Sequence, residues 1–219
     1  MRKLVAEFIG TAMLVAAVVG SGIMAERLAG GNAALALLAN TIATGAALVA
    51  LILALAPVSG AHFNPVVSLV AAIYGEMMWK EALRFTASQV TGAILGVVIA
   101  NLMFELPPVL FSTHLRTGFA QWLGEFVATF GLVGVIVAVS RRSNKAAFAV
   151  AAYITAAYWF TSSTSFANPA VTIARSLSDT FAGIRPVDVP GFVVAQIAGA
   201  VAPSYTFNWL IPRENRNDS

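Results

Sequence analysis

Long apolar stretches alternate with short polar connections along the chain. A helix needs about 20 residues to cross the roughly 30 Å of hydrocarbon in a bilayer. Six stretches have that length and few charges: 4–24, 34–56, 82–104, 119–139, 147–166 and 190–211. The pattern therefore predicts six transmembrane helices joined by short connections, with no room for a separate catalytic domain.

Two shorter apolar runs interrupt this pattern, one ending at Tyr74 and the other at Phe181. Each begins with an Asn-Pro box: Asn64-Pro65-Val66 and Asn168-Pro169-Ala170. Asparagine caps the free amides at a helix start, and proline is preset for the first helical position. A run of about 10–13 residues is too short to span the bilayer. We therefore expect two re-entrant half-helices.

The polar landmarks of the chain occur twice in the same order. A Glu-Phe pair, an Asn-Pro box and a glutamine appear first as Glu7, Asn64 and Gln89, then as Glu125, Asn168 and Gln196. Each half holds three crossings, an odd number, so the second half must enter the membrane upside down. We expect one transmembrane channel domain over 1–219, built from inverted repeats at about 1–106 and 117–212. Inverted repeats place the binding or conduction site near the midplane.

Composition agrees with a membrane protein and excludes other classes. Apolar residues make up 58% of the chain, charged residues only 11%, and the mean hydropathy is +0.81. A soluble domain has about a quarter charged residues, so a soluble enzyme is excluded. The net charge of +3 is too small for a nucleic-acid-binding protein. The chain has no cysteine for a disulfide or a thiolate metal site.

The distribution of basic residues predicts the orientation. With the N-terminus inside, nine lysines and arginines fall on the cytoplasmic side: Arg2, Lys3, Lys80, Arg84, Arg141, Arg142, Lys145, Arg213 and Arg216. Four fall elsewhere: Arg27, Arg116, Arg175 and Arg185. This asymmetry follows the positive-inside rule. We expect a multi-pass protein of the cell membrane, in bacteria the inner membrane, with both termini in the cytoplasm.

The two half-helices enter from opposite sides, so their N-termini meet at the bilayer centre. Each N-terminus carries roughly half a positive charge, and two of them oppose the passage of any cation, including a hydrated proton. Each box asparagine caps its helix with its oxygen, which leaves its amide hydrogens as donors to the pore. The sequence therefore predicts a pore for small uncharged polar molecules, with no cofactor and no metal ion.

The paired boxes, the lead-in Ser59–His62 and the Glu-Phe-x-x-Thr openings resemble the major intrinsic protein family, which comprises the aquaporins and aquaglyceroporins. The resemblance extends from Glu7 to Gln196. It implies an all-α polytopic membrane protein of six transmembrane helices and two re-entrant half-helices, with one pore in each subunit of a homotetramer. The first box departs from the family pattern only in Val66.

The family's selectivity filter is located by counting from the boxes, which implies four positions here: Thr44, Ala156, Ser165 and Val171. The family usually has an aromatic residue at the first, histidine or glycine at the second, and arginine at the fourth. None of the four is aromatic here, and Val171 stands in place of the arginine. We therefore expect a wide filter that discriminates weakly, because one methylene in a pocket changes binding by only about 1–3 kcal/mol.

This departure is similar to the bacterial aquaglyceroporins associated with arsenic-resistance operons, whose second box is also followed by valine. The resemblance implies passive conduction of arsenite, as neutral arsenous acid, and of related metalloids, together with glycerol and water. A general glycerol and water facilitator without a metalloid role is the alternative within the channel class. An ion-coupled secondary transporter is the alternative outside it, but it requires a titratable cluster at the breaks, which carry asparagine. An enzyme is not expected.

Four charged or titratable residues admit two interpretations each. Arg175 lies one helical turn beyond Val171, about 6 Å nearer the outside. In one interpretation it forms a charged outer vestibule that partly restores cation exclusion. In the other it pairs with Asp179 or extends to the lipid headgroups. Glu7 and Glu125 accept hydrogen bonds from the re-entrant loops, or they relay protons. His62 lines the cytoplasmic approach to the pore, either structurally or as a pH gate.

Overall fold

The computed structural model describes residues 1–140 and 145–211. This part of the chain forms eight α-helices: α1 (Arg2–Leu28), α2 (Ala33–Ser59), α3 (Pro65–Ile73), α4 (Trp79–Met103), α5 (Phe119–Ser140), α6 (Ala146–Phe160), α7 (Pro169–Arg175) and α8 (Val189–Leu210). Helices α1, α2, α4, α5 and α8 are long and apolar enough to cross a membrane. The half-helices α3 and α7 begin at the two Asn-Pro boxes. Four of the basic residues used for orientation, Arg141, Arg142, Arg213 and Arg216, lie outside the described residues, as does residue 212 at the end of the second repeat.

Two elements are shorter than the sequence predicts. Helix α6 has 15 residues and ends at Phe160 rather than at residue 166, so it rises only about 22 Å. Helix α7 ends at Arg175 rather than near Phe181. The loop between α4 and α5 explains the early end of α7: its backbone N–H groups at Ser112 and Leu110 donate to the carbonyls of residues 176 and 177. Those residues pair with the loop instead of extending the helix.

The long helices of each half cross closely at a matched glycine. A Cβ atom added at Gly92 of α4 would lie 2.3 Å from the carbonyl oxygen of Phe8 in α1. A Cβ atom added at Gly199 of α8 would lie 2.4 Å from the carbonyl oxygen of Phe126 in α5. Small residues permit such backbone approach in membrane bundles. Because α1 packs on α4 and α5 on α8, the two halves have corresponding internal packing.

The core surrounds the point where the half-helices meet. One apolar cluster joins α1, α2, α5 and α6 around Phe63, Leu132 and Ile154. A second cluster packs α7 between α1 and α4 through Val171 and Val97. The re-entrant segments are therefore enclosed by protein, where irregular backbone is tolerated at membrane depth.

Candidate functional site

A cavity of about 280 Å³ runs along the junction of the two halves. At one end it is lined by Glu76, Ser140 and Ala146, and at the other by Tyr158 and Arg175. Most of the residues selected from the sequence also line it: Thr44, His62, Asn64, Ser165, Asn168 and Val171. The structure thus brings both boxes, His62 and three of the four filter positions to one pathway.

The boxes fold locally as asparagine-capped helix starts. The Asn64 Oδ1 atom accepts from the Val66 backbone N–H at 3.1 Å, and the Asn168 Oδ1 atom accepts from the N–H groups of Ala170 and Val171. Proline occupies the first helical position in both cases. These are the caps expected from the sequence.

The amide groups of the asparagines differ from the expectation. Asn64 Nδ2 donates to the carbonyl oxygen of Ala167 at 2.7 Å, and Asn168 Nδ2 donates to that of Phe63 at 2.8 Å. Each amide has two hydrogens, so one ties the halves together and only one is left for a solute. The prediction that all amide hydrogens face the pore is therefore corrected.

The segments leading into the boxes carry the same backbone strain. Ala61 and Phe63 have φ of 52° and 49°, and Ser165 and Ala167 have φ of 51° and 46°. These are the positions three and one before each asparagine. A left-handed conformation costs about 1–3 kcal/mol per non-glycine residue, so surrounding contacts must hold it. The strain thus occurs at matched positions before both boxes.

Two buried carboxylates supply those contacts. Glu7 accepts hydrogen bonds from the backbone N–H groups of His62 and Phe63 at 3.0 and 2.7 Å. Glu125 accepts from those of Phe166 and Ala167, both at 2.8 Å. The side chains of both glutamates are fully buried. The carboxylates thus satisfy backbone donors that have no helical partner, which is the loop-supporting role considered from the sequence.

A glutamine completes each carboxylate network. Gln89 Nε2 donates to Glu7 at 2.7 Å and to the Ser68 hydroxyl at 3.0 Å. Gln196 Nε2 donates to Glu125 at 2.6 Å and to the Thr172 hydroxyl at 2.8 Å. The glutamines noticed as repeat landmarks therefore connect the carboxylates to the half-helices.

His62 sits beside the first box and lines the cavity. Its Nδ1 atom lies 3.0 Å from the Ser68 hydroxyl. Its ring meets the edge of the Phe85 ring, with centroids 5.5 Å apart. The second half repeats this pair as Phe166 and Phe192, with centroids 5.2 Å apart. A packing role has a visible basis, whereas the pH gate stays a prediction.

The filter position on α6 differs from the predicted one. Ala156 does not line the cavity and is exposed on the surface of the protein. Tyr158 lines the cavity instead. Tyr158 is buried, and its hydroxyl lies 3.3 Å from the Thr44 hydroxyl. Two residues rotate a helix by about 200°, which puts the two positions on opposite faces. An aromatic side chain therefore lines the cavity beside Thr44, and the expectation that Ala156 lines it is corrected.

The sequence did contain a signal for Tyr158. Four residues of α6 line the cavity at a spacing of four: Ala146, Val150, Ile154 and Tyr158. This stripe follows one face of a helix, and Ala156 lies off it. Counting a fixed number of residues from Asn168 ignored that periodicity.

Arg175 lies at the end of the cavity that is distant from Glu76 and Ser140. It is only 2% exposed, its Nε atom donates to the carbonyl of Ala182, and its guanidinium carbon lies 3.4 Å from the centroid of the Phe166 ring. Asp179 is occupied elsewhere, because it accepts from the backbone and hydroxyl of Thr113. The alternative pairing of Arg175 with Asp179 is therefore not present.

A second arginine, Arg116, reaches the same place from the loop between α4 and α5, and no sequence motif predicts its role. The Arg116 side chain donates to the carbonyls of Gly183 and Ser163 at 2.7 and 3.2 Å. Its guanidinium carbon lies 5.0 Å from the centroid of the Phe166 ring. No local pattern marks this residue, because its partners come from segments distant in the chain.

One titratable group in the loops near Arg116 has a shifted pKa. Burial lowers the pKa of His114, and the nearby charges of Arg116 and Arg175 lower it further. The shift of the His114 pKa indicates positive potential at this end of the molecule.

Comparison with known proteins agrees with this geometry. The family model described as major intrinsic protein matches residues 1–157. Aquaglyceroporin AqpS of Rhizobium meliloti (strain 1021) is 57% identical over 211 residues, covering 96% of this chain and 90% of that protein. Aquaporin AqpM of Methanothermobacter marburgensis is 30% identical over 238 residues, covering 95% of this chain and 97% of that protein.

A solved structure shows the same fold. The X-ray structure of the aquaglyceroporin from Plasmodium falciparum superimposes with a TM-score of 0.73, covers 96% of both chains and is 18% identical in sequence. The expected fold class, six transmembrane helices with two half-helices, is confirmed. Proteins of this family are membrane channels for small solutes and not enzymes. The chain therefore belongs to the major intrinsic protein family.

Proposed function

We propose that this channel conducts small neutral solutes that carry several hydroxyl groups, namely arsenous acid and glycerol, together with water. The observation that carries the proposal is that three hydroxyl-bearing residues, Thr44, Tyr158 and Ser165, line the cavity. The Ser165 hydroxyl is buried and has no hydrogen-bond partner among the described residues. A buried donor without a partner costs about 1–3 kcal/mol, and a hydroxylated solute offers the missing partner.

The shape of the solutes suits this set of groups. Glycerol and arsenous acid each carry three hydroxyls and no charge. Thr44 and Tyr158 are 3.3 Å apart at their hydroxyls, a long separation for an O–H···O bond, so a solute can exchange with that bond at little cost. Val171 supplies a small apolar surface to the same cavity, at the position where the family usually has an arginine.

The relatives support the solute class. AqpS, named an aquaglyceroporin, shares 57% of its aligned residues with this chain. The valine after the second box supports the narrower assignment to arsenous acid through the resemblance to the arsenic-operon subgroup. A glycerol and water facilitator without a metalloid role remains the second candidate, since glycerol would use the same three hydroxyls.

The buried carboxylates disfavour an ion-coupled transporter. Glu7 and Glu125 each accept two backbone hydrogen bonds and one from a glutamine. Neither carboxylate lines the cavity, so neither meets a solute or a coupling ion directly. For a passive channel, we expect the solute flux to be independent of an imposed proton or sodium gradient.

Flux measurements on hydroxyl variants test the proposal. Purified protein in proteoliposomes is compared for water, glycerol and arsenous acid, using Ser165→Ala, Tyr158→Phe and the exposed control Thr91→Val. Loss of a hydroxyl should lower glycerol and arsenous acid flux several-fold and change water flux little. If the parent protein passes water alone, the proposal is wrong. If it passes glycerol but not arsenous acid, the second candidate is correct.

We further propose the arrangement in the membrane: inverted repeats over 1–106 and 117–212, both termini in the cytoplasm of a bacterial inner membrane, and assembly as a homotetramer. The positive-inside asymmetry supports the orientation, and the family resemblance supports the tetramer. The chain contains no cysteine, so a single cysteine introduced at Ser143 or Thr117 is the only thiol of its variant. A reagent added from outside the cell then reports which side of the membrane that position faces. Labelling of Thr117→Cys by an impermeant maleimide on intact cells, without labelling of Ser143→Cys, is expected.

A further inference from the structure

Two arginines share one aromatic ring at the outer end of the cavity. The Phe166 ring lies 3.4 Å from the guanidinium carbon of Arg175 and 5.0 Å from that of Arg116. Within the described ranges, 1–140 and 145–211, neither arginine forms an ion pair with a carboxylate. Both side chains are buried, with Arg116 at 9% exposed and Arg175 at 2%.

The two guanidinium groups also hold one short stretch of backbone. Arg116 donates to the carbonyls of Phe181 and Gly183, and Arg175 donates to the carbonyl of Ala182. Three successive carbonyls are thus taken by two arginines from different parts of the chain. Moving either arginine would release this segment and shift the other.

Burying two guanidinium groups next to each other costs folding free energy. Removing a charged group from water without an opposite charge carries a penalty of several kcal/mol, which carbonyl dipoles and a ring face offset only in part. Among the described residues, neither charge is neutralised by a direct ion pair, although the Glu125 carboxylate is close enough to interact electrostatically with both arginines. Arg175 lines the cavity, whereas Arg116 does not. A permeating cation therefore contacts Arg175 directly, and Arg116 can act on it through the position of Arg175.

We propose that Arg116 is a specificity-determining positioning residue: through Phe166 and the carbonyls of 181–183, it holds Arg175 at the outer mouth, where the charge of Arg175 excludes cations. The inference rests on the proposed channel function. Arg175, one helical turn beyond the second box, then supplies the positive charge that is absent at Val171, and the loop residue Arg116 keeps it in place.

The sign of the effect follows from Coulomb repulsion. A fixed positive charge in a narrow, weakly polar passage raises the energy of any cation and leaves neutral solutes nearly unaffected. Loss of one such charge should therefore raise cation leak at least about tenfold. Neutral solute flux should stay within about twofold, because the three hydroxyls at the filter are unchanged.

The experiment measures both quantities in the same vesicles. Proteoliposomes containing a pH-sensitive dye receive a potassium gradient and valinomycin, so that proton entry reports the leak, and glycerol flux is followed by light scattering. The variants are Arg175→Gln, Arg175→Lys, Arg116→Gln and the Arg116→Gln/Arg175→Gln double variant.

Arg27→Gln is the matched control. Arg27 lies at the same end of the bundle, donates to the Phe104 carbonyl at 2.8 Å and lies 5.1 Å from the Phe104 ring centroid. It therefore has the same kinds of contacts as Arg116, but it is exposed and does not line the cavity. Its replacement should change neither leak nor glycerol flux.

The proposal expects both single glutamine variants to leak, Arg175→Lys to stay tight, and the double variant to leak no more than Arg175→Gln. The last result is expected because Arg116 acts through Arg175. A tight Arg116→Gln channel beside a leaky Arg175→Gln channel would overturn the role of Arg116. Two tight glutamine variants would overturn the whole inference.

A second variant covers the case in which Arg116→Gln fails to assemble and shows no glycerol flux. Phe166→Leu keeps both arginines and much of the volume but removes the ring that both guanidinium groups approach. The proposal expects this variant to conduct glycerol and leak protons. A tight Phe166→Leu channel would contradict it. Glycerol flux in the parent protein tests the channel function separately, so the two failures are distinguishable.

Discussion

Asn64 and Asn168 hold the two halves of the channel together by reciprocal hydrogen bonds. The amide of each donates to the carbonyl of the residue that precedes the other, at 2.7 and 2.8 Å. Each asparagine therefore does three things: its oxygen caps a half-helix, one amide hydrogen ties it to the opposite half, and the other amide hydrogen is left for the solute.

Asn64→Asp should destabilise the channel without removing the helix cap. Aspartate caps as well as asparagine does, but it has no amide hydrogen for the Ala167 carbonyl, which would face an oxygen instead. An unsatisfied buried carbonyl costs about 1–3 kcal/mol. The expected result is a lower midpoint of thermal unfolding in detergent and a parallel loss of glycerol flux.

Asn32→Asp is the control for this substitution. Asn32 caps α2 with the same side-chain oxygen, accepting from Leu35 N–H at 3.1 Å, and is exposed. Its replacement should leave the midpoint within about 1 °C, since the cap is kept. Equal effects at positions 32 and 64 would show that the cross-bond contributes nothing.

Glu125→Gln should act on stability rather than on proton coupling. The carboxylate accepts from Phe166 N–H, Ala167 N–H and the Gln196 amide, and a glutamine would place its own NH₂ group against one of these donors. The loss should be about 3 kcal/mol, because hydrogen bonds to a charged acceptor are among the stronger ones. Denaturant titration measures it, with the exposed Glu105→Gln as control. A stable Glu125→Gln protein whose flux loses a dependence on the proton gradient would support a relay instead.

Replacing two helical glycines by alanine should have opposite effects. At Gly92 the new methyl would lie 2.3 Å from the Phe8 carbonyl oxygen, so α1 and α4 must separate, at about 1–3 kcal/mol. At Gly20 the nearest atom is a Phe104 ring carbon at 3.4 Å, an ordinary contact. Gly20→Ala should therefore stabilise by about 0.5–1 kcal/mol through helix propensity. Thermal unfolding of the two variants side by side measures the difference, and destabilisation of equal size at both would contradict the close crossing.

His114 reports the positive potential of the outer mouth. Burial, Arg116 and Arg175 lower its pKa, while Asp179 and Glu26 act in the opposite direction. The folded protein thus binds this proton at lower pH than the unfolded chain, whose histidines titrate near about 6.5. Its contribution to stability is fully present above that pH and is lost as the pH falls toward the folded pKa.

Nuclear magnetic resonance of labelled histidine measures that pKa directly. The chain has two histidines, so His114→Gln identifies the signal. The pKa should rise in Arg116→Gln, because a nearby positive charge is removed. An unchanged value would mean that the charge of Arg116 is screened from the outer mouth.

The sequence predicts the parts of the site that are written into local motifs. The Asn-Pro boxes specify the half-helix starts by capping chemistry, and the repeated order of Glu7 and Glu125 indicates their matched roles. A carboxylate inside an apolar span is costly to bury unless nearby groups, such as backbone N–H groups, donate hydrogen bonds to it. These residues could be selected from the chain alone.

The remaining parts depend on how distant segments meet. Tyr158 was missed because a count from Asn168 assumes a fixed geometry between α6 and the box, whereas the helix ends at Phe160 and an irregular segment follows. Arg116 was missed because its partners are backbone carbonyls, which every residue offers. The end of α7 at Arg175 is set by hydrogen bonds from the outer loop, which no pattern within α7 indicates.

The central claim is that the filter passes solutes larger than water. The most direct measurement compares water, glycerol and arsenous acid flux in proteoliposomes for the parent channel and for Thr44→Phe/Val171→Arg, which adds bulk and charge at two filter positions. The account predicts that the parent passes all three and that the double variant keeps water flux alone. A parent channel that passes only water would contradict it.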